Sequence, residues 1–350
     1  ARLYQPHMLS EPEEKILAEK SVTGREAWVR FFTELMGSAR YTFDGQELTQ
    51  SAVLAKLYDE DRSIRQRAAA SLTEGLRKHL PITTFIFNTL AADKASDDRL
   101  RNYPTWISSR NLSNEVSDET VEALVEAVTG RYDIVARYYH LKRRLLGLDE
   151  LVDYDRYAPL PAAASWYQWD EAREIVLTAY ERFHPEVAGI AEQFFVQNWI
   201  DAAERPNKRG GAYSASTVPS AHPYVFMNYT GRTRDVMTLA HELGHGVHQY
   251  LSREQGMLQA HTPLTTAEMA STFGEMLVFT DLMEKESDPQ ARLALLAGKI
   301  EDSFATIFRQ ISMNRFEHAL HTARREEGEL TSERISELWL DTQRAMFGDS

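Results

Sequence analysis

Histidines cluster in the second half of this 350-residue chain, where five of the 11 fall within forty residues. Inside that cluster, His241 and His245 enclose Glu242 in the pattern His-Glu-x-x-His. Apolar residues around the pattern keep helical spacing, which predicts a helix over 233–252 that is capped at Thr233. Residues four apart lie on one helix face, so both imidazoles could bind one metal ion with Glu242 beside it as a general base. The alternative is a coincidental pattern on a solvated helix face, which the clustering disfavours.

A catalytic zinc site takes three protein ligands and leaves one position open, so a third ligand is required. Glu268 and Glu275 stand seven residues apart in a segment with helical spacing, and they therefore share a face. Glu268 lies 27 residues after His241, which allows a turn and an antiparallel second helix. We predict that Glu268 is the third ligand. In the alternative reading, Glu268 forms a capping box with Thr265 and bends back to the Thr265 amide.

Two further residues are candidates for supporting roles around this centre. Glu275 would receive an imidazole N–H and so fix the tautomer of that ring, although an exposed glutamate is a nearly equal alternative. His248 lies on the same helical stripe as His241 but about 10.5 Å further along the axis, too far to share a metal ion easily. We therefore expect His248 to support the site or to contact substrate, with plain packing as the alternative.

The composition restricts the kinds of site that this chain can build. Because it contains no Cys, any metal site must use His, Asp or Glu. Lys and Arg number 39 against 52 Asp and Glu, and the resulting net charge of −13 disfavours a nucleic-acid partner. The sequence has neither a run of about 18 apolar residues nor the apolar core of a signal peptide, so we expect no membrane span and no export.

Before about residue 205 the sequence predicts helices only, because no run alternates apolar and polar residues as a half-buried strand does. The predicted helical segments are about 48–59, 61–79, 82–98, 117–146 and 170–204. Prolines near residue 160 indicate a boundary between a helical front portion, 1–155, and a catalytic portion, 156–350. A loop is predicted at 206–211, and 224–229 is the clearest strand candidate. The basic run at 142–144 is more typical of a solvated helix face than of an anion site.

Several of these motifs together resemble the thimet-oligopeptidase-like zinc metallopeptidases and, within them, the oligoendopeptidase F group. The resemblance covers much of the chain, although it is faint outside the motifs. The matching runs are 211–214, 222–224, 227–229, 238–245 with His248, and 268–271 with Glu275, and a fainter match covers 154–159.

The resemblance carries implications for the site and for the fold. In that family the two histidines and the first glutamate of the later segment bind zinc, which agrees with His241, His245 and Glu268, and the glutamate corresponding to Glu242 is the general base. The resemblance also implies a mainly α, multi-helix zincin-type body that encloses a substrate channel, with a small β hairpin or sheet beside the active-site helix. Members are longer than this chain, so it implies a fragment that lacks N- and C-terminal portions, including a later His and Tyr that help bind the substrate carbonyl.

We therefore expect a zinc metalloendopeptidase that uses one zinc ion and hydrolyses internal bonds of short peptides. Zinc would activate a water molecule, and Glu242 would take its proton. The strand at 224–229 could hold an extended peptide along its edge, although core packing explains that strand equally well. The residues predicted to contact substrate are Gly211, Tyr213, His222, Tyr224 and Tyr229.

Two other functions are compatible with the sequence. One is a catalytically silent, metal-stabilised helical scaffold or binding module, and the other is a related helical metallocarboxypeptidase. The expected partners are short peptides, with neither nucleic acid nor membrane among them, and the expected location is the cytoplasm. Peptide length, side-chain preference and oligomeric state do not follow from the residues.

Overall fold

The computed structural model describes residues 2–161, 166–205 and 208–350. The chain divides into two compact units, one formed by 1–161 with 296–350 and the other by 162–295. Both units are built mainly from helices, as the apolar spacing predicts, so the mainly α fold class is confirmed. None of the helices in the described ranges combines the length and the apolar character that a membrane span requires. Residues 206 and 207 of the predicted loop lie outside the described residues.

The first unit contains most of the helices of the chain. Within 1–161 its elements are α1 (Glu11–Ser21), α2 (Arg25–Ser38), β1 (Tyr41–Phe43), β2 (Gln46–Leu48), α3 (Gln50–Ala55), α4 (Arg62–Leu100), α5 (Ser108–Ser113), α6 (Asp118–Thr129) and α7 (Asp133–Leu145).

The second unit holds both the sheet and the His-Glu-x-x-His motif. Its elements are α8 (Trp169–Phe183), α9 (Pro185–Val196), β3 (Ile200–Ala203), β4 (Tyr213–Ala215), β5 (Tyr224–Tyr229), α10 (Thr233–Ser252) and α11 (Leu264–Lys285). The chain returns to the first unit within α12 (Pro289–Phe304), passes through a π turn at Ala305–Arg309, and ends with α13 (Gln310–Glu326) and α14 (Ser332–Phe347).

The segments predicted at 61–79 and 82–98 form one helix, α4, which runs through Pro81. A proline inside a helix removes one backbone hydrogen bond and usually bends or ends the helix. Here apolar side chains on both sides of Pro81 are buried, among them Leu72 and Ile86, so tertiary packing maintains the helix across the proline.

The strands before residue 205 were missed by the sequence prediction. β1 and β2 form an antiparallel hairpin, and its turn residues Asp44 and Gly45 have φ values of 48° and 80°. An Asp-Gly pair with positive φ at both positions is the usual signal for a two-residue hairpin turn, but strands of three residues are too short to show alternation. Tyr41 and Phe43 of β1 are buried in the same cluster as Leu72 of α4. The predicted helix at 170–204 likewise ends early and is followed by the strand β3.

The predicted helix at 117–146 is divided into α6 and α7. The basic run at 142–144 lies near the end of α7, and it is not fully solvated as the sequence predicted. Lys142 is only 1% exposed, and its ammonium lies 2.5 Å from Glu301 Oε1. It also donates to Arg156 O at 2.6 Å, while the Tyr138 hydroxyl donates to Glu301 at 2.6 Å. The burial of Lys142 could not be predicted from the sequence, because its acidic partner Glu301 is distant along the chain.

In the first unit, a buried ion-pair network connects α4 with the segment that follows α7. The Asp155 carboxylate is fully buried and contacts Arg62 and Arg65 at 2.8 Å each. It also accepts a hydrogen bond from the Val152 amide. Arg65 is only 3% exposed, so its charge depends on this carboxylate for compensation.

In the second unit, three strands form a sheet in the order β3, β5, β4. β5 lies parallel to β3 and antiparallel to β4, with Val225 opposite Ile200 on one side and Ser214 on the other. The strand predicted at 224–229 is confirmed, but the proposed free edge along it is wrong, because β5 is the central strand. The core beneath the sheet includes the fully buried Met227 and Leu239.

We predict that Asp155→Ala lowers the free energy of unfolding by about 3 kcal/mol or more, because it leaves the Arg65 charge buried and unpaired. Urea denaturation of the purified chain would measure this loss. The exposed neighbour Asp153 provides a matched control, and Asp153→Ala should change stability by no more than about 0.5 kcal/mol. Equal losses in the two variants would contradict a special role for the network.

Candidate metal centre

The His-Glu-x-x-His motif lies on α10, and the helix predicted over 233–252 is confirmed. The predicted cap is displaced by one residue, because Thr233 is the first helical residue and Arg232 is the N-cap. Asp235 completes this end of the helix, since its carboxylate accepts hydrogen bonds from the amides of Thr230 (2.8 Å) and Arg232 (3.2 Å). A negative charge in the first turn also interacts favourably with the helix dipole.

Two glycines allow α10 and α11 to pack with their backbones in contact. A β-carbon added at Gly244 would lie 2.5 Å from Ala270 O and 2.7 Å from Ser271 Cα. At Gly274 an added β-carbon would overlap the Tyr180 hydroxyl and approach α10 as well. Only glycine fits at such separations, so these positions set the distance between the two helices. The carboxylates of α11 are thereby brought within reach of the imidazoles of α10.

The three predicted metal ligands converge at this helix contact. Glu268 Oε2 lies 3.2 Å from His241 Nε2 and 3.3 Å from His245 Nε2. Within the described residues, these three form a group whose candidate ligand atoms all lie within 4.8 Å of one another. Zinc bonds of about 2.0–2.1 Å in a tetrahedron place neighbouring ligand atoms about 3.3 Å apart, so the donor set fits zinc both in chemistry and in spacing.

The capping-box alternative for Glu268 is not what the structure has. α11 begins at Leu264 with Pro263 as its N-cap, so Thr265 lies inside the first turn. The Glu268 side chain points to the imidazoles and accepts a hydrogen bond from the Ser271 hydroxyl at 2.9 Å. Glu268 is therefore directed across the helix pair and not back along its own helix.

Glu275 lies on the other side of His241. Its Oε2 is 3.3 Å from His241 Nδ1, in hydrogen-bonding geometry. If Nδ1 carries the proton in this bond, the Nε2 lone pair faces the Glu268 oxygen. Two acceptor atoms at 3.2 Å repel each other unless a second imidazole proton or a metal ion lies between them. The arrangement therefore favours positive charge at this point and matches the tautomer-fixing role predicted for Glu275, which stays a prediction.

The electrostatics of the two histidines differ. Burial lowers the pKa of His241, but its hydrogen bond to Glu275 and the nearby carboxylates outweigh burial, so the pKa stands above the ordinary value. The pKa of His245 is lowered by burial and by His241, against the opposing effect of Glu268. The negative potential around His241 thus stabilises a positive charge at the point where the three ligands converge.

The buried Glu242 is only 6% exposed. Its Oε2 has no hydrogen-bond partner within the described part of the chain. Burial raises the pKa of Glu242 to about 7, with a further contribution from Glu268, while His241 and the Ser214 amide oppose the shift. A carboxyl group with such a pKa can both take up and release a proton near neutral pH.

The edge strand β4 is attached to α10 beside Glu242. The Ser214 hydroxyl donates to Gln249 Oε1 at 2.8 Å, and Gln249 Nε2 donates to Ser214 O at 3.2 Å. Gln249 follows Glu242 by seven residues and therefore lies on the same face of the helix. Neither Ser214 nor Gln249 was given a role from the sequence, although the spacing of seven from Glu242 was an available signal.

Three of the predicted substrate contacts form aromatic surfaces on or near the sheet. Tyr213 and Tyr224 are 42% and 51% exposed, and Tyr213 stacks on Phe226 with centroids 5.0 Å apart. His222 stacks on Trp199 at 4.0 Å. Their contact with substrate stays a prediction.

Gly211, Tyr229 and His248, which were also predicted to contact substrate or support the site, do not belong to these exposed aromatic surfaces. Gly211 has a φ of +90°, a conformation that favours glycine, just before β4. Tyr229 donates its hydroxyl to Tyr167 O at 2.7 Å, so this hydroxyl already has a partner in the same unit. His248 lies outside the group of three ligands but close enough to His245 to lower its pKa.

Comparison with known proteins places these residues in a family context. A model of peptidase family M3 matches residues 55–350, and a model described as oligopeptidase F matches residues 1–41. The chain is 31% identical over 357 residues to oligopeptidase PepF of Bacillus subtilis (strain 168), covering 99% of this chain and 52% of that protein. It is 27% identical over 356 residues to an oligoendopeptidase F homolog of Borreliella burgdorferi, covering 98% and 59%.

Solved structures give the same picture of the fold. The chain is similar to oligoendopeptidase F from Enterococcus faecium, with a TM-score of 0.72 at 23% identity over 99% of this chain and 57% of that one. It is also similar to a candidate peptidase from Chlamydophila abortus, with a TM-score of 0.83 at 27% identity over 98% and 59%. The first likeness, at its low identity, concerns the fold alone. The chain spans about half the length of the curated relatives it matches.

We predict that Gly244→Ala destabilises the chain by about 1–3 kcal/mol, because the added methyl group overlaps backbone atoms of α11 that can move only with the whole helix. Zinc affinity should fall as well, since Glu268 moves with α11. Urea denaturation and chelator competition would measure the two effects.

Gly189 provides the matched control, because it lies inside α9 with nothing within 4 Å of an added β-carbon. Gly189→Ala should stabilise the chain by up to about 1 kcal/mol through helix propensity and leave zinc binding unchanged. If Gly244→Ala instead stabilised the chain and left zinc binding unchanged, the contact at Gly244 would not limit how closely α10 and α11 pack.

Proposed function

The chain belongs to peptidase family M3, and from that premise we propose that it is a zinc metalloendopeptidase acting on short peptides. One observation carries the proposal. The oxygen of Glu268 lies within 3.3 Å of both imidazole nitrogens of the His-Glu-x-x-His motif, beside a buried Glu242. Two imidazoles, one carboxylate and an adjacent carboxyl group with a raised pKa are the parts that metal-assisted peptide hydrolysis needs.

His241, His245 and Glu268 would hold the metal ion, with Glu275 orienting His241. When bound, zinc would supply Lewis-acid activation of a water molecule and of the scissile carbonyl. The remaining chemistry belongs to side chains of this protein, and the proposed roles follow from where each side chain lies.

Glu242 is proposed as the general base. It would take a proton from the attacking water and then pass it to the nitrogen of the leaving amine, so that no net proton is lost from the site. Burial raises the pKa of this carboxyl group in the chain without metal, so its affinity for a proton is higher than that of an ordinary glutamate. Burial keeps bulk water from competing for that proton.

Substrate binding is proposed at the sheet beside α10. Since β5 is the central strand, an extended peptide would lie near β4, whose residue Ser214 already contacts α10. Tyr213 at the start of β4 and Tyr224 of β5, opposite Ala215, have exposed rings and are proposed to contact the peptide. Gly211, His222 and Tyr229 remain proposed as supporting positions, with the Tyr229 hydroxyl committed to Tyr167.

We predict that Glu242→Gln lowers kcat for a quenched-fluorescence peptide by at least about 100-fold while the variant still binds one zinc ion per chain. The isosteric amide cannot accept the proton, yet it leaves the three ligands untouched. Glu254→Gln, which changes an exposed glutamate just beyond α10, is the matched control and should retain wild-type kcat. Wild-type turnover by zinc-loaded Glu242→Gln would contradict the proposed base.

Chelation should abolish hydrolysis, and added zinc should restore it. Wild-type chain that binds zinc with the affinity expected of such a site but cleaves no peptide would instead support a metal-stabilised scaffold.

We also predict that peptides blocked at both ends are cleaved at internal bonds. An endopeptidase needs no free C-terminal carboxylate, whereas a carboxypeptidase does. Mass spectrometry of the products of blocked and unblocked versions of one peptide would separate the two activities. Release of single C-terminal residues, only from the unblocked peptide, would favour the related metallocarboxypeptidase.

A further inference from the structure

We propose that Ser271 is a positioning residue for the metal centre, and that its hydroxyl orients the Glu268 carboxylate toward His241 and His245. The inference rests on the proposed function, because it assigns a role within the same site. Ser271 lies in the run that resembles known peptidases, but neither the spacing nor the residue type of a single serine indicates a role.

The geometry connects Ser271 to one particular oxygen. Its Oγ lies 2.9 Å from Glu268 Oε2 and 3.0 Å from Glu268 O. Oε2 is the same oxygen that lies 3.2 Å from His241 Nε2 and 3.3 Å from His245 Nε2. The single hydroxyl proton is shared between these two acceptors of one residue, and on the side chain it is directed to Oε2, the atom on which the proposed site converges.

Glu268 needs such a contact more than the two histidines do. Its side chain is 61% exposed, whereas those of His241 and His245 are 29% and 15% exposed. An exposed glutamate samples many rotamers in water, and binding a metal ion requires that it be confined to one of them. A hydrogen bond made before the metal arrives confines the side chain in advance and so strengthens metal binding.

Ser271 itself cannot easily move. It is fully buried, and its Cα lies at the tightest contact between α10 and α11, opposite Gly244. The donor is therefore fixed relative to the helix that carries both imidazoles. Through its hydrogen bond, the buried Ser271 therefore ties the position of the exposed Glu268 carboxylate to the fixed packing of the two helices.

A purely structural serine would behave differently when replaced by alanine. Ser271→Ala keeps the backbone contact at Gly244, removes only one oxygen atom, and introduces a residue of higher helix propensity. If Ser271 only filled space, zinc affinity would not change. If it positions Glu268, zinc affinity should fall even though the fold is as stable as before.

The experiment measures zinc affinity by chelator competition and the thermal midpoint of the metal-free chain. For Ser271→Ala we expect the zinc Kd to rise about 10- to 100-fold, the range typical for the loss of a hydrogen bond to a metal ligand, with a midpoint equal to or above that of the wild type. Cobalt(II) substituted for zinc should show altered ligand-field absorption, because the carboxylate is less constrained.

Thr280 provides the matched control on the same helix. Its hydroxyl donates to Met276 O at 2.9 Å, and it lies about three turns beyond Glu268 on the helix. Thr280→Ala should leave both the zinc Kd and the cobalt spectrum unchanged. Ser271→Gly also removes the hydroxyl but adds no metal-binding group; its zinc Kd should rise as in Ser271→Ala, and it provides the test if the alanine variant does not fold.

A zinc Kd unchanged in Ser271→Ala and Ser271→Gly would overturn the inference and leave the proposed function intact. Failure of the proposed function would look different. In that case the wild-type chain would bind zinc no more tightly than His241→Ala or His245→Ala, and Ser271 would have no site to position.

Discussion

The close approach of α10 and α11 is the constraint on which the candidate metal centre depends. At Gly244 the backbone of α10 lies against Ala270 and Ser271, with no room for a β-carbon. Glu268 and Glu275 lie on α11 about one turn before and one turn after this contact, and both reach His241. Glycine lowers helix stability relative to alanine. Glycine is nevertheless needed at position 244, because a residue with a β-carbon would keep α11 too far from α10 for its carboxylates to reach His241.

The charges gathered at this contact explain the behaviour of the individual groups. Carboxylates of α10 and α11 surround two imidazoles, so the region favours positive charge. The carboxylates raise the pKa of His241 against the opposing effect of burial, whereas burial is the main cause of the raised pKa of Glu242 and the Glu268 charge adds to it. Leu239 and Leu243, on the same helix as the two imidazoles, are fully buried in the apolar core of this unit and anchor the helix there.

Sequence patterns predicted some parts of the structure well and others poorly. The helix over 233–252 and the strand over 224–229 were correct because their periodicity is strong and local. The hairpin around Asp44 and the continuation of α4 through Pro81 were missed, since short strands show little alternation and packing can override a proline. Lys142 was misjudged because its partner Glu301 is distant in the chain.

The sequence by itself determined the relation between His241, Glu242 and His245, because residues one and four apart on a single helix have a fixed geometry wherever that helix lies. It also narrowed the third ligand to a small number of carboxylates. Only the tertiary structure decided that Glu268 faces both imidazoles, that Ser271 contacts the same oxygen, and that β5 is a central strand. Those relations depend on contacts between separate elements, and side-chain size and backbone separation at those contacts cannot be obtained from local periodicity.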